Sequence, residues 1–175
     1  MKQIYVIRHA DKNKETGQLT DEGRERARQL KDQLGNFDLV ITADRPRLTE
    51  TALLLTGRDP QIDKRAGFVY TSSEQKERLS QQAKVHPMDH AGALFEFPEH
   101  KEHVGIIGNN LIELIKETFQ KLPENGKALI VSQDGVMVAA ERILQNKPYE
   151  KLESSYQPLE GYIIDYELNI KEFTE

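Results

Sequence analysis

IYVIRHA, residues 4–10, opens with four apolar, largely β-branched side chains and stops at Arg8-His9. A run this short and this rich in Ile and Val predicts a strand buried on both faces. DLVIT (38–42) repeats the pattern, and ALIV (128–131) repeats it again before Ser132. The stretches between carry apolar residues at helical spacing. Thr20 precedes DEGRERARQLKDQL, in which Ala27, Leu30 and Leu34 recur on one face. Thr20 is placed to cap that helix and Gly35 to end it. A further helix is expected over about 46–55, stopping near Gly57. Ile107, Leu111, Leu114, Ile115 and Leu122 mark a long amphipathic helix before the turn signal Pro123-Glu124-Asn125-Gly126. Val136, Ala139, Ala140, Ile143 and Leu144 mark another. Phe68–Tyr70 is expected as a third strand in chain order, and Tyr162–Leu168 as the last.

Buried strands alternating with helices predict an α/β protein, a three-layer α/β/α sandwich on a mostly parallel sheet. From Thr71 to His103 the pattern dissolves into a polar stretch with Pro87, Pro98 and one apolar cluster, Leu94-Phe95-Phe97. We read about 58–103 as a variable, partly helical insertion in a single domain covering 1–175. Lys plus Arg is 24 against 29 Asp plus Glu, a formal net charge of −5, which argues against a dedicated nucleic-acid binder. No apolar run reaches the roughly 18 residues of a membrane span, and the N-terminus lacks the pattern of a signal peptide. A cytoplasmic protein is the expectation. With no cysteine, disulfides, thiolate zinc sites and a Cys nucleophile are excluded.

In such sheets ligands sit beyond the carboxyl ends of the strands, so the residues that follow each strand come first. Arg8-His9 offers a planar donor fork beside an imidazole that can act as nucleophile or base, although alone it reads more readily as a surface pair at a strand end. Arg45 and Arg47 flank Pro46 at a helix start. Cations there oppose the helix dipole, so an anion-binding role explains them better than helix stability does. The simpler reading pairs them with Asp44 and Glu50. His86, His90, His100 and His103 have spacings that can chelate zinc or nickel, or are solvated loop histidines. A nucleotide-binding or flavodoxin-like module is a rival on such a sheet, but neither GxGxxG nor GxxxxGK[ST] occurs.

Taken in order, IRHA (7–10), LTDEG (19–23), ADRPRLTETA (43–52) and VSQDGV (131–136) resemble the histidine phosphatase superfamily, the phosphoglycerate-mutase-like proteins. The family pattern is Arg-His-Gly after the first strand, Leu-Thr-x-x-Gly at the first helix, an Arg four residues before Thr-Ala, and a second His after a late strand. Arg8, His9, Leu19, Thr20, Gly23, Arg47, Thr51 and Ala52 fit it, and Ala10 gives the short Arg-His-Ala form. The resemblance implies a metal-independent, cofactor-free phosphatase acting on phosphomonoesters or phosphohistidine. His9 would be the nucleophile, and Arg8 and Arg47 would hold the phosphoryl oxygens. It implies a phosphorylated small molecule or phosphoprotein as partner.

Two departures follow. Gln133 stands where the family has its second His; it can donate to phosphate but carries no charge. The chain is therefore expected to be a weakened phosphatase, or a non-catalytic phosphate-ligand or protein-binding relative of the same fold. Asp134 is a poor replacement, since an anion repels phosphate. The family's acid lies between the second Arg and the second His; Glu74, in TSSEQKERL (71–79), is the first candidate for it, with Glu77 and Glu96 behind.

Overall fold

The computed structural model describes residues 1–174. Six strands form one sheet: β1 (Gln3–Arg8), β2 (Leu39–Thr42), β3 (Gln61–Ile62), β4 (Lys127–Ser132), β5 (Gly161–Asp165) and β6 (Ile170–Phe173), in the spatial order β3-β2-β4-β1-β5-β6. β1, β2, β3 and β4 run parallel; β5 pairs antiparallel with β1, and β6 antiparallel with β5. The α/β sandwich is therefore as expected, with a parallel centre and an antiparallel edge.

The helices are α1 (Asp21–Leu34), α2 (Pro46–Thr56), α3 (Ser73–Val85), α4 (Asp89–Glu96), α5 (Lys101–Lys121) and α6 (Asp134–Leu144). From β1 the chain moves through α1 to β2 and through α2 to β3, always toward one edge. From β3 it returns through α3, α4 and α5 to β4. Parallel crossovers are right-handed, so the two directions of travel put helices on opposite faces. α1 accordingly packs on α2, and α5 on α6. Ile4, Val6 and Ile7 of β1 and Ala128 to Val131 of β4 lie fully buried between these layers, in one continuous apolar core.

Two strand expectations need correction. Phe68–Tyr70 is not a strand; the edge strand is Gln61–Ile62, both residues exposed. The strand expected over 162–168 ends at Asp165, because Asp165 accepts from the backbone of Glu167 and Asn169 and reverses the chain into β6. The insertion is more regular than its sequence suggests. α3 and α4 pack on each other, and α4 packs on α6. That last contact depends on Gly135: a Cβ there would stand 2.9 Å from Leu94 and 3.0 Å from Phe68. The missing side chain lets α4 lie close against the start of α6. No helix among the described residues is long and apolar enough to cross a membrane.

Candidate active site

The register of β1 on β4 sets Arg8 beside Ser132, and the His9 amide donates to the Ser132 carbonyl at 3.1 Å. His9 and Gln133 thus leave two adjacent parallel strands side by side. The first strand feeds helices on one face and the second feeds α6 on the other, so a crevice opens between them.

Local contacts explain the spaced motifs. Thr20 Oγ1 caps α1 by accepting from the Gly23 amide at 3.0 Å, while the Thr20 amide donates to the Asp11 carbonyl at 2.9 Å. A Cβ on Gly23 would stand 2.7 Å from that same carbonyl, so Leu-Thr-x-x-Gly clamps the segment after His9 onto the helix. Thr51 Oγ1 donates back to the Arg47 carbonyl at 2.7 Å and accepts from the Ala10 amide at 3.1 Å. One hydroxyl therefore ties α2 to the residue next to His9. Ala10 is fully buried and does not take a positive φ, so alanine is accommodated there without backbone strain.

His9 is 3% exposed. Its Nδ1 lies 2.8 Å from the Ala10 carbonyl, which can only accept, so Nδ1 carries the hydrogen and Nε2 the lone pair. Arg47 Nε donates to that Nε2 at 3.2 Å. Burial first, then the neighbouring Arg47, Arg8 and Lys12 charges, push the His9 pKa down to about 3. The ring is neutral across physiological pH, with its nucleophilic nitrogen aimed at a guanidinium.

A cavity of about 210 Å³ adjoins His9 and is lined by Arg8, Lys12, Arg45, Arg47, Phe68, Tyr70, Lys76, Asp89, His90, Gln133 and Asp134. Five cationic side chains face two carboxylates there, in a chain whose net charge is −5. Arg8 Nη1 donates to the Tyr156 carbonyl and lies 3.5 Å from Asp134 Oδ2, while its Nε is buried without a hydrogen-bond partner. Gln133 Oε1 accepts from the Phe68 amide at 3.2 Å, which leaves its NH2 group as the end available to a ligand.

Arg8, His9, Arg47 and Gln133 thus meet at one cavity wall. Glu74 does not. Its side chain is 80% exposed at the start of α3, bonded to Arg78 at 2.9 Å, and it lines no part of this cavity. Placing it as the acid is corrected: the polar face of α3 points to solvent, and only Leu79 and Ala83 of that helix are buried. The carboxylates at the cavity are Asp89 and Asp134, and Asp134 is already engaged by Arg8 and by Ser155. Lys12, Tyr70 and Asp89 were not singled out as site residues from the sequence, and His90 was singled out only as a candidate metal ligand. Asp89 and His90 follow no strand, and the one signal for α4's approach is the glycine in SQDG.

The four clustered histidines separate. His86 accepts from the Met88 amide at 3.1 Å, His100 meets Gln82 Oε1 at 2.6 Å, and His103 meets the Val69 carbonyl at 2.8 Å. Among the described residues no three His, Asp or Glu side chains gather as a metal site.

A family model for the histidine phosphatase superfamily (branch 1) matches residues 4–169. The chain belongs to this superfamily. Solved structures agree on the fold. A mycobacterial glucosyl-3-phosphoglycerate phosphatase in complex with VO3 superposes with a TM-score of 0.70 at 16% identity, covering 99% of this chain and 98% of that one. A phosphoglycerate mutase from Bacillus anthracis gives 0.68 at 14% identity, covering 99% and 92%. An Entamoeba histolytica phosphoserine phosphatase in complex with 3-phosphoglyceric acid gives 0.69 at 13% identity, covering 99% and 96%. No curated protein matches the sequence at a comparable level of significance.

Proposed function

We propose that this superfamily member is a metal-independent phosphatase working through a phosphohistidine on His9. The observation that carries this reading is the buried, neutral His9 whose Nε2 lone pair meets Arg47 Nε at the wall of a cationic cavity. A phosphoryl group entering the cavity meets Arg8 and Arg47, whose donors can follow its oxygens as charge develops on them. Nε2 forms a bond to phosphorus as the bond to the leaving oxygen breaks. Nδ1 keeps its hydrogen against the Ala10 carbonyl, which stabilises the charge gained by the ring. Asp89 gives a proton to the leaving oxygen. In the second step water attacks phosphorus, passes its proton back to Asp89, and His9 is regenerated with inorganic phosphate.

The substrate class is a phosphorylated small molecule, since the cavity opens beside aromatic walls at Phe68 and Tyr70 that can cover a compact organic group. A panel of aryl phosphates, phosphorylated sugar acids and a phosphohistidine peptide, run at about pH 5–8, tests the reading. Turnover must disappear in His9→Ala. Saturable phosphate binding with no His9-dependent turnover would instead make the chain a binding protein, the outcome that Gln133 first suggested.

The acid assignment has its own test. Asp89→Asn is expected to slow an alkyl phosphate by roughly 10²-fold and p-nitrophenyl phosphate far less, because a good leaving group needs no proton. Glu74→Gln should change neither by more than about twofold, as befits an exposed side chain. Equal slowing of both substrates by Asp89→Asn would remove Asp89 from this role.

A further inference from the structure

His90 is a half-buried titratable group that the mechanism above leaves idle. It stands at the start of α4 and lines the cavity together with Arg8, His9, Arg47 and Gln133. Its ring centroid lies 6.0 Å from that of Phe68, the residue whose amide holds Gln133 in place. The chain has five histidines, and four of them have a ring nitrogen in a hydrogen bond to protein. Among the described residues His90 alone has none. The residue before it, Asp89, takes a φ of +47°, a conformation that non-glycine residues adopt rarely and that here turns the chain at the cavity rim. Gly135 is what lets α4 approach that far.

We infer that His90 is the titrating donor of the phosphate cavity, taking up a proton as a dianionic group enters and supplying the charge that Gln133 cannot. The groups facing it set the direction of its titration. Burial, and then Lys12 from the segment after β1 and Arg47 from α2, disfavour the imidazolium; Asp134 from α6 and its own neighbour Asp89 favour it. Arg8, His9, Arg45, Tyr70 and Lys76 complete the surroundings. His90 therefore starts below the usual histidine range and is neutral at pH 7. A dianion between Arg8 and Arg47 offsets their repulsion and adds attraction, so the pKa of His90 rises on binding. Anion binding is then coupled to proton uptake, and affinity falls as pH rises between the two pKa values. The catalytic part of this inference rests on the phosphatase reading; the proton coupling rests only on the cavity.

Sulfate separates the two, because it stays a dianion over the whole working range and does not turn over. Titration calorimetry of the wild type from about pH 5.5 to about 8.5 should show affinity falling by up to about tenfold per pH unit, with an enthalpy that depends on buffer ionisation. His9 is already neutral through this window, so it adds no slope. In His90→Gln and His90→Asn, sulfate should still bind, with the slope and the buffer dependence gone. With an aryl phosphate, His90→Gln should lower kcat/KM by roughly 10²-fold near pH 6 and flatten the alkaline limb of the profile. Proton uptake that persists in both variants overturns the role given to His90. A wild type that binds no sulfate overturns the anion cavity itself, and the phosphatase reading with it.

Discussion

His9→Ala should reduce turnover of an aryl phosphate by at least about 10³-fold, the scale seen when a covalent nucleophile is removed and only binding groups remain. No other side chain can take its place. His90 lacks the carbonyl that fixes the His9 tautomer, and His86, His100 and His103 are held in bonds of their own. Alkali-quenched wild type, given labelled substrate, should carry an alkali-stable, acid-labile phosphoryl group that is absent from the variant. Since protonation of His9 lies near pH 3, the free enzyme should show no loss of nucleophile as pH falls from 8 to 5. A sigmoidal loss of kcat/KM near the usual histidine range that persisted in His90→Gln would contradict the buried, neutral state of His9. Far-UV dichroism of His9→Ala separates lost chemistry from lost fold.

Arg47→Ala should cost about 10²–10³-fold in kcat/KM, the usual effect of removing one preorganised donor to a developing charge. The structure also predicts where the loss falls. Arg47 touches the nucleophile before substrate arrives, and its backbone carbonyl holds Thr51 against Ala10. Truncating its side chain leaves that backbone link intact, so the site should keep its shape and lose its charge. Arg47→Lys should recover only a minor part, because a lysine brings charge without the planar fork. Full recovery in Arg47→Lys would mean that Arg47 contributes net charge only. Steady-state kinetics with vanadate inhibition checks both variants, since the inhibition constant should weaken in parallel with kcat/KM.

How far the sequence was readable depended on repetition. β1, β2 and β4 carry dense Ile and Val because helices cover them on both sides, and α1, α5 and α6 carry a stripe of apolar residues for the same reason. β3 has two exposed residues at an edge and no periodic signal, so nothing in Gln61-Ile62 could mark it. Phe68 and Tyr70 looked like strand residues because they are apolar and aromatic; they are there to wall a cavity. The site followed the same rule. Arg8, His9, Arg47 and Gln133 were legible because each follows a strand or begins the helix after one. Asp89 and His90 reach the site across space, on a short helix whose approach is licensed by a glycine 45 residues downstream of His90. Glu74 was misjudged because sequence order between two motifs says little about which side of a helix faces in.

The pairing of Arg8 with Ser132 also bears on how this chain acquires activity. The two strands that lead to His9 and Gln133 are adjacent in the sheet, yet paired Arg8 and Ser132 are 124 residues apart in sequence, so their union closes a very long loop. Such non-local contacts form late and slowly, because the entropy of closure is lost before the contacts repay it. A chain emerging during synthesis, or refolding from denaturant, can build α1, α2 and α5 locally while the reactive imidazole still faces water. Only the docking of the fourth strand beside the first removes that water. Return of catalysis is therefore a clock for the pairing of these two strands rather than for the appearance of helices.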